Sequence, residues 1–145
     1  MQTVTMMAML VKRLKIRPQF QAVLAGPIIG RTHHFALHCT PTQHAPLGMT
    51  PLLFTPGFWL GAMVPKRWAK RAVTRNAIKR QIYQLGSRQK EQFPEDAFLV
   101  RLRQEFSRKT YPSASSAALS EAVGLELLDL FCQGIQGTRT SQSIT

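Results

Sequence analysis

No Asp or Glu occurs in the first ninety residues of this 145-residue chain, although that stretch carries fourteen Lys and Arg. All seven acids fall between Glu91 and Asp129, and the formal net charge is +12. A compact segment without counter-charges repels itself, which is tolerable when the working state includes a polyanion. Nucleic acid is the commonest such partner, ahead of an anionic membrane surface. The missing carboxylates also remove from residues 1–90 any means of holding Mg²⁺ or acting as a carboxylate general base. Cysteine is scarce: Cys39 and Cys132 lie far apart with no CxxC, which excludes a zinc ribbon and a disulfide framework and fits a reduced, cytoplasmic compartment. No apolar run approaches the length of a membrane span. The short run at 6–11 precedes its charges, Lys12 and Arg13, the reverse of a signal peptide. A Gly-rich phosphate loop and a Ser/His/Asp ordering are also missing. No catalytic constellation for a nuclease is visible, and if phosphodiester chemistry occurs the metals and reacting groups should come from a partner.

What is present centres on residues 66–80 (KRWAKRAVTRNAIKR), with seven basic residues and no acid. A strand-like run, 58–64, leads into this stretch, and Pro65 ends the strand because proline cannot donate to a ladder. A helix is expected over 72–88, with Ile78, Ile82 and Leu85 as its inward stripe and Gly86 weakening or ending it. Around this junction the spacing predicts a helix over 14–25, where Pro18 suits a first turn and Gly26-Pro27 a stop. A strand is expected over 31–40, a Pro-rich connection over 41–57 with a short edge strand at 52–54, a strand over 97–103, and a last helix over 114–132. Ser113, Ser115 and Ser116 are cap candidates for that helix, and Gly134 is its expected stop. On this reading residues 1–13 form a poorly ordered leader, 14–133 one domain, and 134–145 a disordered tail. The order α-β-β-β-α-β-α makes an α+β (α/β sandwich) fold with a single mixed sheet of about four strands.

Two local features carry competing readings. Phe20 recurs with Ile16 and Val23/Leu24 at helical spacing, so packing into the core is its plain role. His33, His34 and His38 suggest a metal site, but His34 and His38 are four residues apart on a strand that rises about 3.3 Å per residue. That is too far to share one ion, so a wet sheet face receiving polar or aromatic ligand groups is the better reading, and no metal ligand is assigned.

On a helical wheel Arg71, Arg75 and Lys79 follow one another at i, i+4, i+8, and Asn76 and Arg80 form the adjacent row. Like charges at i, i+4 cost an isolated helix roughly 0.2–0.5 kcal/mol per pair. Cations near a helix N-terminus oppose the macrodipole by about 0.3–1 kcal/mol each. A bound phosphate backbone reverses both signs, so the stripe points to function rather than to a solvated face. Asn76 can donate and accept, toward a base edge, a ribose 2′-hydroxyl or its own helix turn.

Lys66-Arg67, the spacer Lys70-Arg71-Ala72-Val73 and the helix Arg75-Asn76-Ala77-Ile78-Lys79-Arg80 resemble the signature of the bacterial ribonuclease P protein component. The resemblance spans about residues 14–132. It implies a ribosomal-protein-like sandwich with an unusual left-handed strand-helix-strand crossover. It also implies an accessory role in an endonuclease (a hydrolase) whose catalytic RNA subunit, with Mg²⁺, removes the 5′ leader of precursor tRNA. Carried over by position, the RNA-subunit face comprises Lys70, Arg71, Arg75, Asn76, Lys79 and Arg80. The leader cleft comprises Phe20, Phe35, Lys66 and Arg67, with Phe20 a part-exposed stacking platform. The implied partners are the RNA subunit and precursor tRNA, one protein copy per RNA, with no membrane. The chain departs from the pattern at Ala77 and Tyr83, where the family often carries arginine, and at Leu24, where it has a second aromatic. The alternative is a ribosomal or other rRNA-binding structural protein without a nuclease role. A DNA-binding helix over 72–88 would lack the second helix of a helix-turn-helix.

Overall fold

The computed structural model describes residues 11–42, 55, 57–107 and 117–144, with side chains of the last helix described through Thr138. Five strands and three helices follow the order β1 (Lys12–Arg13), α1 (Arg17–Leu24), β2 (Ile28–Arg31), β3 (Phe35–Thr40), β4 (Trp59–Met63), α2 (Ala72–Gln89), β5 (Ala97–Leu102) and α3 (Ala117–Ile144). The strands form one mixed sheet in the order β1-β4-β5-β3-β2. β4 and β5 are parallel neighbours, so the chain between them, α2 included, is a strand-helix-strand crossover. β3 pairs antiparallel with β5 and with β2.

Alternation divides the sheet into two faces. Phe35 and Leu37 of β3, Leu60 and Ala62 of β4, and Phe98, Val100 and Leu102 of β5 point toward α2 and α3. There they meet Ile78 and Ile82 and the α3 stripe Leu119, Val123, Leu127, Leu130 and Phe131. Each of the larger of these side chains contributes about 1.5–3 kcal/mol on burial, and Leu127→Ala, at a fully buried position, should cost about 2–5 kcal/mol. The opposite face carries a smaller cluster under α1: Leu14, Val23, Ala97 and Leu99, with Phe20, Trp59 and Met63 at its margin. α1 starts where expected, with Pro18 in its first turn. The Gln19 Oε1 accepts from the backbone N–H groups of Lys15 (2.8 Å) and Ile16 (3.3 Å), which would otherwise lack partners at the helix start.

Four expectations need correction. Residues 12 and 13 belong to the sheet, not to a leader: β1 pairs parallel with β4, Lys12 opposite Trp59 and Arg13 opposite Leu60. A two-residue strand leaves no periodicity to read. The single strand expected over 31–40 is the second arm of a hairpin, whose first arm, β2, starts directly after the Gly26-Pro27 stop. With β1 and β2 the sheet has five strands rather than about four. Finally, α3 passes Gly134 and continues to Ile144, where a disordered tail was expected. Gly134 sits against the Leu37 side chain, in the place a Cβ would need. It serves close helix-on-sheet approach, as Gly86 does opposite Leu60 inside α2. The edge strand expected at 52–54 and the three serine cap candidates lie outside the described residues.

Candidate nucleic-acid interface

β4 delivers the chain to the basic junction. After Val64 the Pro65 carbonyl accepts from the N–H groups of Trp68 and Ala69, both at 3.1 Å, which closes a turn over residues 66–68. Lys66 and Arg67 are exposed in this turn, and the Arg67 guanidinium carbon lies 5.0 Å from the centroid of the Trp68 ring. Ala69 is buried and anchors the spacer, while Lys70 and Arg71 face solvent. α2 then begins with no acid in its first turn and no side-chain cap on Arg71.

Arg75 occupies the space a cap would fill. Its Nη1 donates to the carbonyls of Ala69 (3.0 Å) and Lys70 (2.9 Å), tying the first turn of α2 to the spacer before it. Asn76, Lys79 and Arg80 are exposed one turn further on. The two rows continue as Tyr83 and Ser87, and as Gln84 and Arg88, and with Arg13 they line a groove of about 740 Å³. The structure thus gathers Lys70, Arg71, Arg75, Asn76, Lys79 and Arg80 along one helix and its approach, with Arg75 directed into the backbone.

The expected cleft residues are not brought together. Phe20 lies half-buried at the margin of the α1-side cluster, beside the Trp59–Met63 strand that leads to Lys66 and Arg67. Phe35 is 0% exposed and faces α2 and α3, on the other side of the sheet. Alternation decides this: Phe35 shares its face with Leu37, so Ala36 and His38 occupy the α1 face. Phe35 is therefore a core residue.

The α1 face offers a different cation. Arg101 pairs across strands with Ala36 and Met63, two residues beyond Leu99 of the α1-side cluster. Its Nε donates to His38 Nε2 at 3.3 Å, and His38 Nδ1–H donates to the Gly26 carbonyl at 3.3 Å. Burial holds the His38 pKa below the ordinary value, aided by the Arg101 charge and opposed by the Gly26 carbonyl. Arg101 is one of three arginines, with Arg31 and Arg103, that the sequence offers as substitutes for the cations missing at positions 77 and 83. Nothing in the sequence marked Arg13.

Carboxylates are employed elsewhere. Glu126 of α3 accepts from Thr32 Oγ1 and the His34 N–H, both at 2.7 Å, and lies 2.8 Å from His34 Nδ1. Burial would raise its pKa, but the bonds from Thr32 and His34 outweigh it and hold the carboxyl below the ordinary value. Among the described residues no three His, Cys, Asp or Glu are placed to hold a metal ion. No helix among the described residues is long and apolar enough to cross a membrane.

The family model for ribonuclease P matches residues 10–123. The chain belongs to the ribonuclease P protein family. It is 32% identical over 118 residues to the ribonuclease P protein component of Burkholderia mallei, covering 81% of this chain and 78% of that one. With the corresponding protein of Ralstonia pickettii it shares 31% over 119 residues, covering 82% and 76%. The fold matches the ribonuclease P protein of Staphylococcus aureus with a TM-score of 0.59 at 21% identity, over 82% of this chain and 91% of that one. The basic helix α2 lies within the matched region, and tRNA processing is the family's general role.

Proposed function

We propose that this chain is the accessory protein of a ribonuclease P ribonucleoprotein and acts in the cytoplasm, one copy per RNA subunit, in removing the 5′ leader of precursor tRNA. The carrying observation is the acid-free basic face of α2, with Lys70, Arg71, Asn76, Lys79 and Arg80 exposed, in a chain of this family. Phosphate oxygens of a structured RNA would convert its mutual repulsion into attraction, and the counterions released would make binding steeply salt-dependent.

The leader would lie along the α1 face of the sheet. There Phe20 offers a half-exposed ring for stacking, and Lys66, Arg67 and Arg101 supply cations for the backbone. Phe35 takes no part. Mg²⁺ and the hydrolytic step belong in this reading to the RNA subunit, and no step is assigned to a side chain of this protein. Its contribution is to hold substrate and catalyst in register.

The direct experiment adds the protein to a matched RNA subunit at low Mg²⁺ and follows precursor tRNA cleavage. Cleavage at the mature 5′ end should accelerate over RNA alone. An unchanged rate, together with co-sedimentation with ribosomes, would transfer the chain to the rRNA-binding class.

A further inference from the structure

Tyr83 stands on α2 one helical turn beyond Lys79, in the row where a fourth cation would extend the stripe of Arg71, Arg75 and Lys79. The cation comes instead from a different element. The Arg13 guanidinium carbon lies 4.0 Å from the centroid of the Tyr83 ring. Arg13 has little freedom at its backbone: Lys12 N–H donates to the Phe58 carbonyl at 3.0 Å and Leu14 N–H to the Leu60 carbonyl at 3.1 Å, clamping β1 on both sides of it. Tyr83 is half-buried and packs on the main core, so the ring is a fixed platform. Beside the pair, Asn76, Lys79, Arg80 and Arg88 line the same groove, and no carboxylate does.

A guanidinium laid on an aromatic ring uses its face, and its N–H edge stays available to a bidentate acceptor. Phosphate is the acceptor that fits such an edge when further cations flank it. We propose that the groove between β1 and α2 is a phosphate seat for the backbone of the RNA partner. Arg13 is a direct contact and Tyr83 the positioning residue that aims it. This rests on the RNA-binding reading above and extends it: the arginine absent from the helix at position 83 is supplied by the edge strand, across the groove. The basic face thereby has three rows, and the third belongs to the sheet.

The test measures binding of the full chain to a matched RNA subunit over a range of salt, for wild type, Arg13→Ala, Tyr83→Phe, Tyr83→Leu and the double variant Arg13→Ala/Tyr83→Leu. Thermal melts confirm that each is folded. Arg13→Ala should bind roughly tenfold more weakly, with a salt slope shallower by about one. Tyr83→Phe keeps the ring and should match wild type. Tyr83→Leu keeps the packing but not the platform and should lose part of the affinity. The double variant should be no weaker than Arg13→Ala alone. A wild-type slope for Arg13→Ala, or losses that multiply in the double variant, would overturn the proposal while leaving RNA binding by α2 intact. Salt-insensitive or absent binding by the wild-type chain would instead remove the parent reading.

Discussion

The carboxylate of Glu126 and the imidazole of His34 meet at 2.8 Å, joining the turn of the β2–β3 hairpin to the middle of α3. The same carboxylate accepts from the His34 N–H and the Thr32 hydroxyl, and the Arg103 guanidinium donates to the Thr32 carbonyl at 2.6 and 3.1 Å. The His34 ring stacks on Phe106 with centroids 3.8 Å apart. A turn held from three sides cannot move independently of the last helix.

Glu126→Gln should therefore lower stability by about 1–3 kcal/mol, since one amide cannot satisfy all three donors. The sign with pH follows from the depressed carboxyl pKa. Its contribution is present above the ordinary value of 4.5 and is lost as pH falls through the lower folded value. Thermal melts from pH 7 to pH 3 should show the wild type losing stability in that window and the variant losing less.

His38 acts at a higher pH. Its folded pKa lies below the ordinary 6.5 because burial, and then the Arg101 charge, disfavour the imidazolium. Stability associated with the neutral ring is complete above 6.5 and declines as pH falls from there toward the folded value. His38→Gln, which retains an acceptor for Arg101, should flatten the melting midpoint between pH 7 and pH 5. An equally steep midpoint in the variant would place the titration elsewhere.

Arg75 and Lys79 share a row but not a role. Arg75→Ala removes both bonds to the spacer carbonyls and should cost about 1 kcal/mol of stability as well as RNA affinity. Lys79→Ala relieves a like-charge pair worth roughly 0.2–0.5 kcal/mol, so the melting temperature should hold or rise slightly while the salt slope of RNA binding falls by about one. Melts and binding isotherms on the two variants separate the roles. Equal melting behaviour would show that the Arg75 bonds carry no stability.

The cysteines differ in reach. Cys132 is exposed on α3, and Cys39 is half-buried with its thiol pKa pushed up to about 12 by burial and by the nearby Asp96. A thiol-specific reagent at pH 8 should modify one site per chain in the native state and two after unfolding, as read by mass spectrometry.

Much of this was legible because the governing patterns are local. Ile78 and Ile82 at helical spacing, and Phe98, Val100 and Leu102 at strand spacing, identified α2 and β5 and the faces they bury. The charge pattern marked α2 as a basic face free of acids, and Lys70, Arg71, Asn76, Lys79 and Arg80 are exposed along it and its approach. What stayed hidden depends on partners distant in sequence. β1 exists only because β4 provides a ladder, so Arg13 could not be placed beside Tyr83 before the fold was known. Gly134 has the composition of a helix stop, and only the approach of Leu37 explains why the helix runs on. Phe35, which the resemblance places in the cleft, is fully buried on the core face it shares with Leu37.

The ends of the sheet have a bearing on how the protein survives before it meets RNA. An unpaired strand edge is a template for another chain. On one side the edge is two residues long, and both are cations, Lys12 and Arg13. On the other, the Arg31 N–H of β2 is taken by Gln133 Oε1 of α3 at 3.0 Å. Among the described residues charge guards one flank and a helix packs against the other, and both oppose strand-to-strand growth. Both devices disfavour association of a free, strongly cationic chain through its strand edges.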